Sequence, residues 1–262
     1  MIDYTAIPWA ALAPFIVVGF LAQLVDSAIG MAFGVVSNAL LALLGLPPAR
    51  ASALTHVVEG FTTGVSGLSH ALQRNVDWPL FARLVVPGIA GGLAGVWALT
   101  HWSLTIVRPV MLVYLAAVGL YLIWRGSRRA QAYHRMRGVG PLGLVAGFLD
   151  ALGGGWGPIT TGSLIAQGMT PRMAIGTVNA AEFFVTVTVL SAFMEQLGVH
   201  VFTLAAAGLL IGGVIAAPIG ALITRRASPR MLTQWIGAVM VLLGLSGLIG
   251  LALAPSPILE RF

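Results

Sequence analysis

The sequence predicts an all-α polytopic membrane protein made of two inverted-topology repeats. Three observations carry that expectation: the apolarity of the chain, an internal repeat, and a one-sided distribution of arginine. Of 262 residues, 58% are hydrophobic and 8% charged, with a mean hydropathy of +0.95. That is too little polar surface for a water-soluble domain of this length. A hydrocarbon layer about 30 Å thick takes about 20 apolar residues per helix. Such stretches lie near 8–27, 51–72, 79–100, 106–124, 139–152, 173–194, 201–224 and 231–254. Two shorter apolar pieces, 31–46 and 158–168, stand between them. At about 1.5 Å per residue the second reaches only about 16 Å, half the hydrocarbon thickness. Short or re-entrant broken helices are therefore expected near 28–46 and 151–168. The N-terminus carries Asp3 and no basic stretch before the first span, so no cleavable signal is expected.

The repeat is read by offset. Gly19, Ala22 and Asp26 recur as Gly143, Ala146 and Asp150, 124 positions on. After a one-residue shift, Gly30, Phe33, Gly34, Gly45, Pro48, Ala51, His56 and Glu59 fall on Gly153, Trp156, Gly157, Gly168, Pro171, Ala174, Asn179 and Glu182. The organisation expected is a first repeat over 1–124, a basic linker over 125–138 and a second repeat over 139–262, all within one transmembrane domain. If each unit holds about five segments, one face receives Arg74, Arg83, Arg125, Arg128, Arg129, Arg135, Arg137, Arg172, Arg225, Arg226 and Arg230. The other receives only Arg50, Arg108 and Arg261. Positive charge marks the cytoplasmic side, which puts the linker in the cytoplasm and the N-terminus in the periplasm or outside. An odd number of segments per unit turns the second copy upside down.

Composition also closes off several functions. There is no cysteine, so thiolate metal sites and cysteine nucleophiles are excluded. The net charge of +6 comes from arginines in short loops, which serve topology rather than nucleic acid. No nucleophile and base recur as a paired constellation, so an enzyme is not expected, and no cofactor or metal is implied.

Inverted repeats belong to many secondary transporters, whose sites lie near the midplane on interrupted helices. Glycine packing between membrane helices explains most glycines, but Gly153, Gly154, Gly155 and Gly157 around Trp156 exceed what packing asks. With the matching Gly30 and Gly34 they mark two helix starts. Irregular backbone at membrane depth is tolerated only against protein or water. Four acids fall inside the spans or at their ends: Asp26, Glu59, Asp150 and Glu182. Each costs about 2.5–3.5 kcal/mol there and by default marks a pathway, a relay or an ion site. Ser52, Thr55, His56, Glu59, Thr63, Ser66 and His70 recur at three- and four-residue steps, one polar stripe along a helix. Asn179, Glu182 and Thr186 repeat it more weakly. His56 and Glu59 share a helix face as a metal pair would, but Asn179, the mate of His56, is a poor ligand.

The segment Gly19 to Asp26, the glycine motif before a short helix, the Gly45-Leu-Pro-Pro-Ala-Arg-Ala-Ser-Ala run and its second form Gly168-Met-Thr-Pro-Arg-Met-Ala-Ile-Gly176 resemble the TauE/SafE family of sulfite and organosulfonate exporters. The resemblance covers nearly the whole chain. It implies export of small sulfur-containing or related organic anions across the bacterial inner membrane. Many relatives carry Thr-Ser where this chain has Thr55-His56-x-x-Glu59 and Val178-Asn179-x-x-Glu182, so it looks like a subgroup with acids at the site.

The reading is a carrier for a small anion, working by alternating access. Its substrate-binding residues are expected to be Gly30, Gly34, Ser37, Asn38, Thr55, His56, Gly153, Gly154, Gly155, Trp156, Gly157, Thr160 and Asn179. Glu59 and Glu182, with Asp26 and Asp150, are expected to couple protons. The alternative is a cation or metal-ion carrier on the same scaffold. The partners expected are the anion and the bilayer, with a second copy in a homodimer as the only protein partner considered.

Overall fold

A computed structural model of the chain describes residues 9–29, 32–127, 138–198, 204–224 and 229–253. Ten helices make up its architecture, with no strand among the described residues. They are α1 (Trp9–Ile29), α2 (Phe33–Leu43), α3 (Pro48–Leu72), α4 (Trp78–His101), α5 (Leu104–Ser127), α6 (Val139–Gly153), α7 (Trp156–Ala166), α8 (Pro171–Leu197), α9 (Leu204–Thr224) and α10 (Pro229–Leu253). Every expected span is found within a few residues of its predicted ends. Of the short elements, α2 proves shorter than 31–46, and α7 has the length expected of 158–168 but begins two residues earlier; both have 11 residues, about 16 Å of helix. Most of the basic linker lies outside the described residues.

Local signals explain where helices start and stop. Pro48 and Pro171 stand in the first turns of α3 and α8, where a missing N–H costs nothing. Gly45 and Gly168, at φ +83° and +93°, turn the chain just before them, a conformation glycine takes without strain. Asp77 caps α4 by accepting from the Leu80 amide at 3.0 Å.

The helices pack in pairs. α1 runs alongside α9 in the same direction, with Gly208 against Leu12 and Phe15, and Gly212 against Ile16 and Phe20. α6 runs the same way along α4, with Gly143 against Leu84, Gly147 against Gly88 and Gly95 against Ala151. α3 and α8 are antiparallel, Gly60, Gly64 and Gly67 meeting Thr186, Phe183 and Ala180. α5 and α10 are antiparallel too, through Gly119, Gly237 and Gly244. In lipid there is no hydrophobic drive between helices, and small residues let backbones approach closely.

The distribution of side chains is inside-out relative to a soluble protein. Phe61, Val65, Leu68 and Leu72 of α3 are exposed, while Ser52, Thr55, His56, Glu59 and Thr63 on its other side are buried. Leu54 and Val57 are buried too, in a core shared by α1, α2, α3 and α9. A second and larger core joins α4, α6, α7 and α8. Among the described residues, four segments are long and apolar enough to cross a membrane: Trp9–Asp26, Trp78–His101, Thr105–Trp124 and Arg172–Leu197. Shorter apolar helices accompany them. The chain is a multi-pass membrane protein.

Candidate functional site

The two short helices begin in the interior, and each begins under an aspartate. The carboxylate of Asp26 accepts from the amides of Ala32 (2.8 Å) and Phe33 (3.1 Å) at the start of α2, with Gln23 donating to its other oxygen at 3.3 Å. Asp150 accepts from the Trp156 amide at 3.1 Å at the start of α7. A helix leaves its first amides unpaired and carries positive potential there, so both aspartates hold a broken end together. One turn further on, the Ser37 hydroxyl donates to the Phe33 carbonyl (2.7 Å) and the Thr160 hydroxyl to the Trp156 carbonyl (2.6 Å). The amides at both helix starts are therefore partly used by the chain itself.

Gly154 makes the approach of the two short helices possible. Its φ is +76°, and a Cβ there would be driven into the backbone of Gly34. A Cβ on Gly34 would in turn lie 2.6 Å from the Glu59 carboxylate. Glycine at both positions brings the starts of α2 and α7 against α3 at the level of its glutamate.

A cavity of about 290 Å³ opens at this junction. It is bounded by Asp26 and Gln23 of α1, Phe33 and Gly34 of α2, Glu59, Thr62, Thr63 and Ser66 of α3, Gly154 and Gly157 around the start of α7, and Ile175, Asn179 and Glu182 of α8. Glu59 and Glu182 are 4% and 8% exposed, and the Oε2 atom of Glu59 has no hydrogen-bond partner. Asn179 donates to Ser66 at 2.7 Å, tying α8 to α3 at the rim.

The cavity thus gathers Gly34, Gly154, Gly157, Asn179, Asp26, Glu59 and Glu182 of the residues singled out by sequence. Others are placed elsewhere. Ser37 and Thr55 bond each other at 3.1 Å. Asn38 and Gly153 border a separate, largely apolar crevice beside α5 and α10. Gly155 is packed against the hydroxyl of Tyr114. Trp156 is fully buried in the larger core, its indole donating to the Val178 carbonyl at 3.3 Å. Gly30 lies outside the described residues. Gln23, Phe33, Thr62 and Ile175 line the cavity without having been singled out; a glutamine three residues before Asp26 inside an apolar span was the available signal.

His56 does not face the cavity. It is fully buried, with Nδ1 2.8 Å from the Ser52 carbonyl and Nε2 3.3 Å from Asp150 Oδ2. Ser52 donates to the Ala151 carbonyl at 2.6 Å beside it. One atom each of His56, Glu59 and Asp150 lies within 4.8 Å of the others, so a single positive charge among them would touch all three.

No solved structure matches the chain. Among sequences, the chain is similar to the "Probable membrane transporter protein YtnM" of Bacillus subtilis (strain 168). The two are 36% identical over 246 residues, 90% of this chain and 82% of that protein. The family model described as sulfite exporter TauE/SafE matches residues 15–247, and the chain belongs to that family.

Proposed function

We propose that this membrane transporter is a secondary carrier of a small anion, sulfite or an organosulfonate by family, that works by alternating access between two inverted repeats. The repeats are α1–α5 and α6–α10. Exchanging them turns the pair α1·α9 into α6·α4, both parallel, and turns α3·α8 and α5·α10 into themselves, both antiparallel. An antiparallel pairing of equivalent helices is what inversion requires. The aspartate caps, the Ser37 and Thr160 bonds and the turns at Gly45 and Gly168 recur at the same offsets.

The observation that carries the reading is the cavity, where the starts of both short helices meet Glu59 and Glu182 midway along α3 and α8. Its acids set a condition on the cargo. Two like charges 4 Å apart repel by about 4 kcal/mol at an effective dielectric of 20. A protonated glutamate instead donates a hydrogen bond to the anion. Glu59 lines the cavity and its Oε2 atom is without a hydrogen-bond partner, which supports that reading. Anion and proton then travel together, across the inner membrane and with the N-terminus outside. The cation alternative has one observation in its favour, the approach of His56, Glu59 and Asp150.

Flux into proteoliposomes, with sulfite, sulfonates and divalent cations each tested with and without a pH gradient, decides between them. The proposal expects anion flux that accelerates with the gradient. Flux of a cation alone would overturn it. Tags between α5 and α6 and between α8 and α9 should report on opposite faces, and tags on the same face would rule out the inversion.

A further inference from the structure

The open cavity has a counterpart that is shut. At the repeat offset of 123, Thr62, Ser66 and His70 of α3 become Val185, Val189 and Phe193 of α8 and Asn179 answers to His56, while Asp26 answers to Asp150 at the offset of 124 that holds before the one-residue shift. Thr62 is exposed and Ser66, Asn179 and Asp26 are half-buried. Their counterparts Val185, Val189, Phe193 and His56 are 0% exposed and Asp150 is 1% exposed. Trp156 is packed among these residues in the larger core.

Two polar contacts tie α3 to the end of α6 in this shut region, Ser52 to the Ala151 carbonyl and His56 to Asp150, and only the second joins two titratable side chains. His56 on α3 meets Asp150 at the end of α6, whereas Asn179 and Asp26 turn to Ser66 and to Gln23, Ala32 and Phe33. The proton inventory of the bridge is constrained. The Ser52 carbonyl can only accept, so Nδ1 of His56 carries hydrogen. A neutral ring with that tautomer would aim a lone pair from Nε2 at a carboxylate oxygen 3.3 Å away. The contact is attractive only with a proton between the two.

We propose that His56 and Asp150 hold one proton between them and that this shared proton latches the shut half of the transporter, keeping Trp156, Val185, Val189 and Phe193 together while the other half is open. The latch rests on the alternating-access reading given above. Asp150 acts electrostatically on Glu59 of α3, Glu182 of α8 and Tyr114 of α5, and Asp26 of α1 acts on both glutamates. The Glu59 carboxylate lies within 4.8 Å of both groups, so a turn of its side chain or one bridging water completes the path. Transfer from His56 Nε2 to the Glu59 carboxylate breaks one N–H bond and forms one O–H bond. It leaves a neutral imidazole facing an aspartate across two lone pairs, and the latch opens as Glu59 gains the proton it needs to meet an anion.

The chain has no cysteine, so single cysteines report accessibility without background. Val189→Cys in the shut half and Ser66→Cys in the open cavity would be labelled with a water-soluble maleimide, using the full chain in nanodiscs that expose both faces. The ratio of the two rates cancels the ordinary pH dependence of the thiol. The ratio should be low at acid pH and rise with pH as the shared proton is lost. The rise should be roughly tenfold to a hundredfold, the factor a charge-assisted hydrogen bond supports. His56→Asn, which installs the residue found at position 179, should raise the ratio at every pH. Asp150→Asn keeps a hydrogen bond, from its amide to Nε2, and should leave the ratio low and flat with pH. A ratio unmoved by His56→Asn, or an Asp150→Asn variant that follows the parental pH curve, would overturn the latch. The second variant keeps the test decisive if the first does not fold. Labelling needs no substrate, so a failed anion-flux assay beside these results would reject the proposed cargo and leave the latch standing.

Discussion

Beside α1, α2 and α3 the molecule opens a polar cavity, and the corresponding space beside α6 and α4 is closed by apolar side chains, although the two regions are built from the same local devices. Both short helices hang from an aspartate, both carry a hydroxyl bonded back to the first turn, and both lead through a left-handed glycine into a proline-started helix. The difference lies in the packing and in what fills the space. α4 is laid closely along α8, where Gly88 and Gly92 admit Trp156, Val185 and Val189. α9 touches α3 only lightly, and the cavity lies along α3 where its row of side chains is polar. The two regions thus differ in how closely one flanking helix lies on a central one, while the broken helices are anchored alike in both.

Substitutions can break that comparison. The largest effect is expected at Gly154→Val. A β-branched residue at φ +76° is strained, and its side chain would enter the backbone of Gly34. Vesicle uptake, normalised to inserted protein, should fall at least about a hundredfold, since misplacing a site by 1 Å already costs that much. Uptake at the parental rate would show that the two short helices need not touch.

Glu59→Gln comes next. It keeps volume and a hydrogen-bond donor but removes titration. Anion binding should persist with a flattened pH dependence, while gradient-driven flux falls by roughly ten- to a hundredfold, the range of a lost proton-transfer group. If binding itself disappears, the carboxylate is a ligand and the cargo is a cation.

A smaller change sharpens the comparison from the cavity side. Asn179→His gives the open half the side chain that its counterpart carries at His56. An imidazole there can reach toward Asp26, so labelling of Ser66→Cys should slow a few-fold, as one added hydrogen bond of about 1 kcal/mol implies. The smallest effect is expected at Phe61→Leu. Phe61 is 59% exposed on the outer face of α3, where a leucine suits lipid equally well, and a thermal unfolding scan should not separate it from the parent.

Much of this contrast was already legible in the sequence. Thr62, Ser66 and His70 against Val185, Val189 and Phe193 is a difference of polarity that needs no coordinates, and the polar stripe of α3 foretold Glu59, Thr63 and Ser66 at the cavity. The short helices were visible because about 16 Å cannot cross the hydrocarbon. The roles of Asp26 and Asp150 were not. Their hydrogen bonds skip six or seven residues to the next helix, and that depends on how the chain folds back. Trp156 misled for a related reason: amid four glycines it looked like a ligand-facing ring, yet the flexible loop serves to bury it. His56 could not be paired across 94 positions from spacing alone.

The seam between α3 and α8 has a mechanical meaning. Gly60, Gly64 and Gly67 form a smooth strip on α3, with the methyl of Thr186, the ring of Phe183 and the backbone of Ala180 riding on it. Interlocked side chains would act as gear teeth, and each increment of rotation would have to lift one row over the next. In the alternating-access reading, a strip without side chains would serve as a plain bearing for the two central helices, and the barrier to motion would then fall to the polar and apolar contacts beyond the strip.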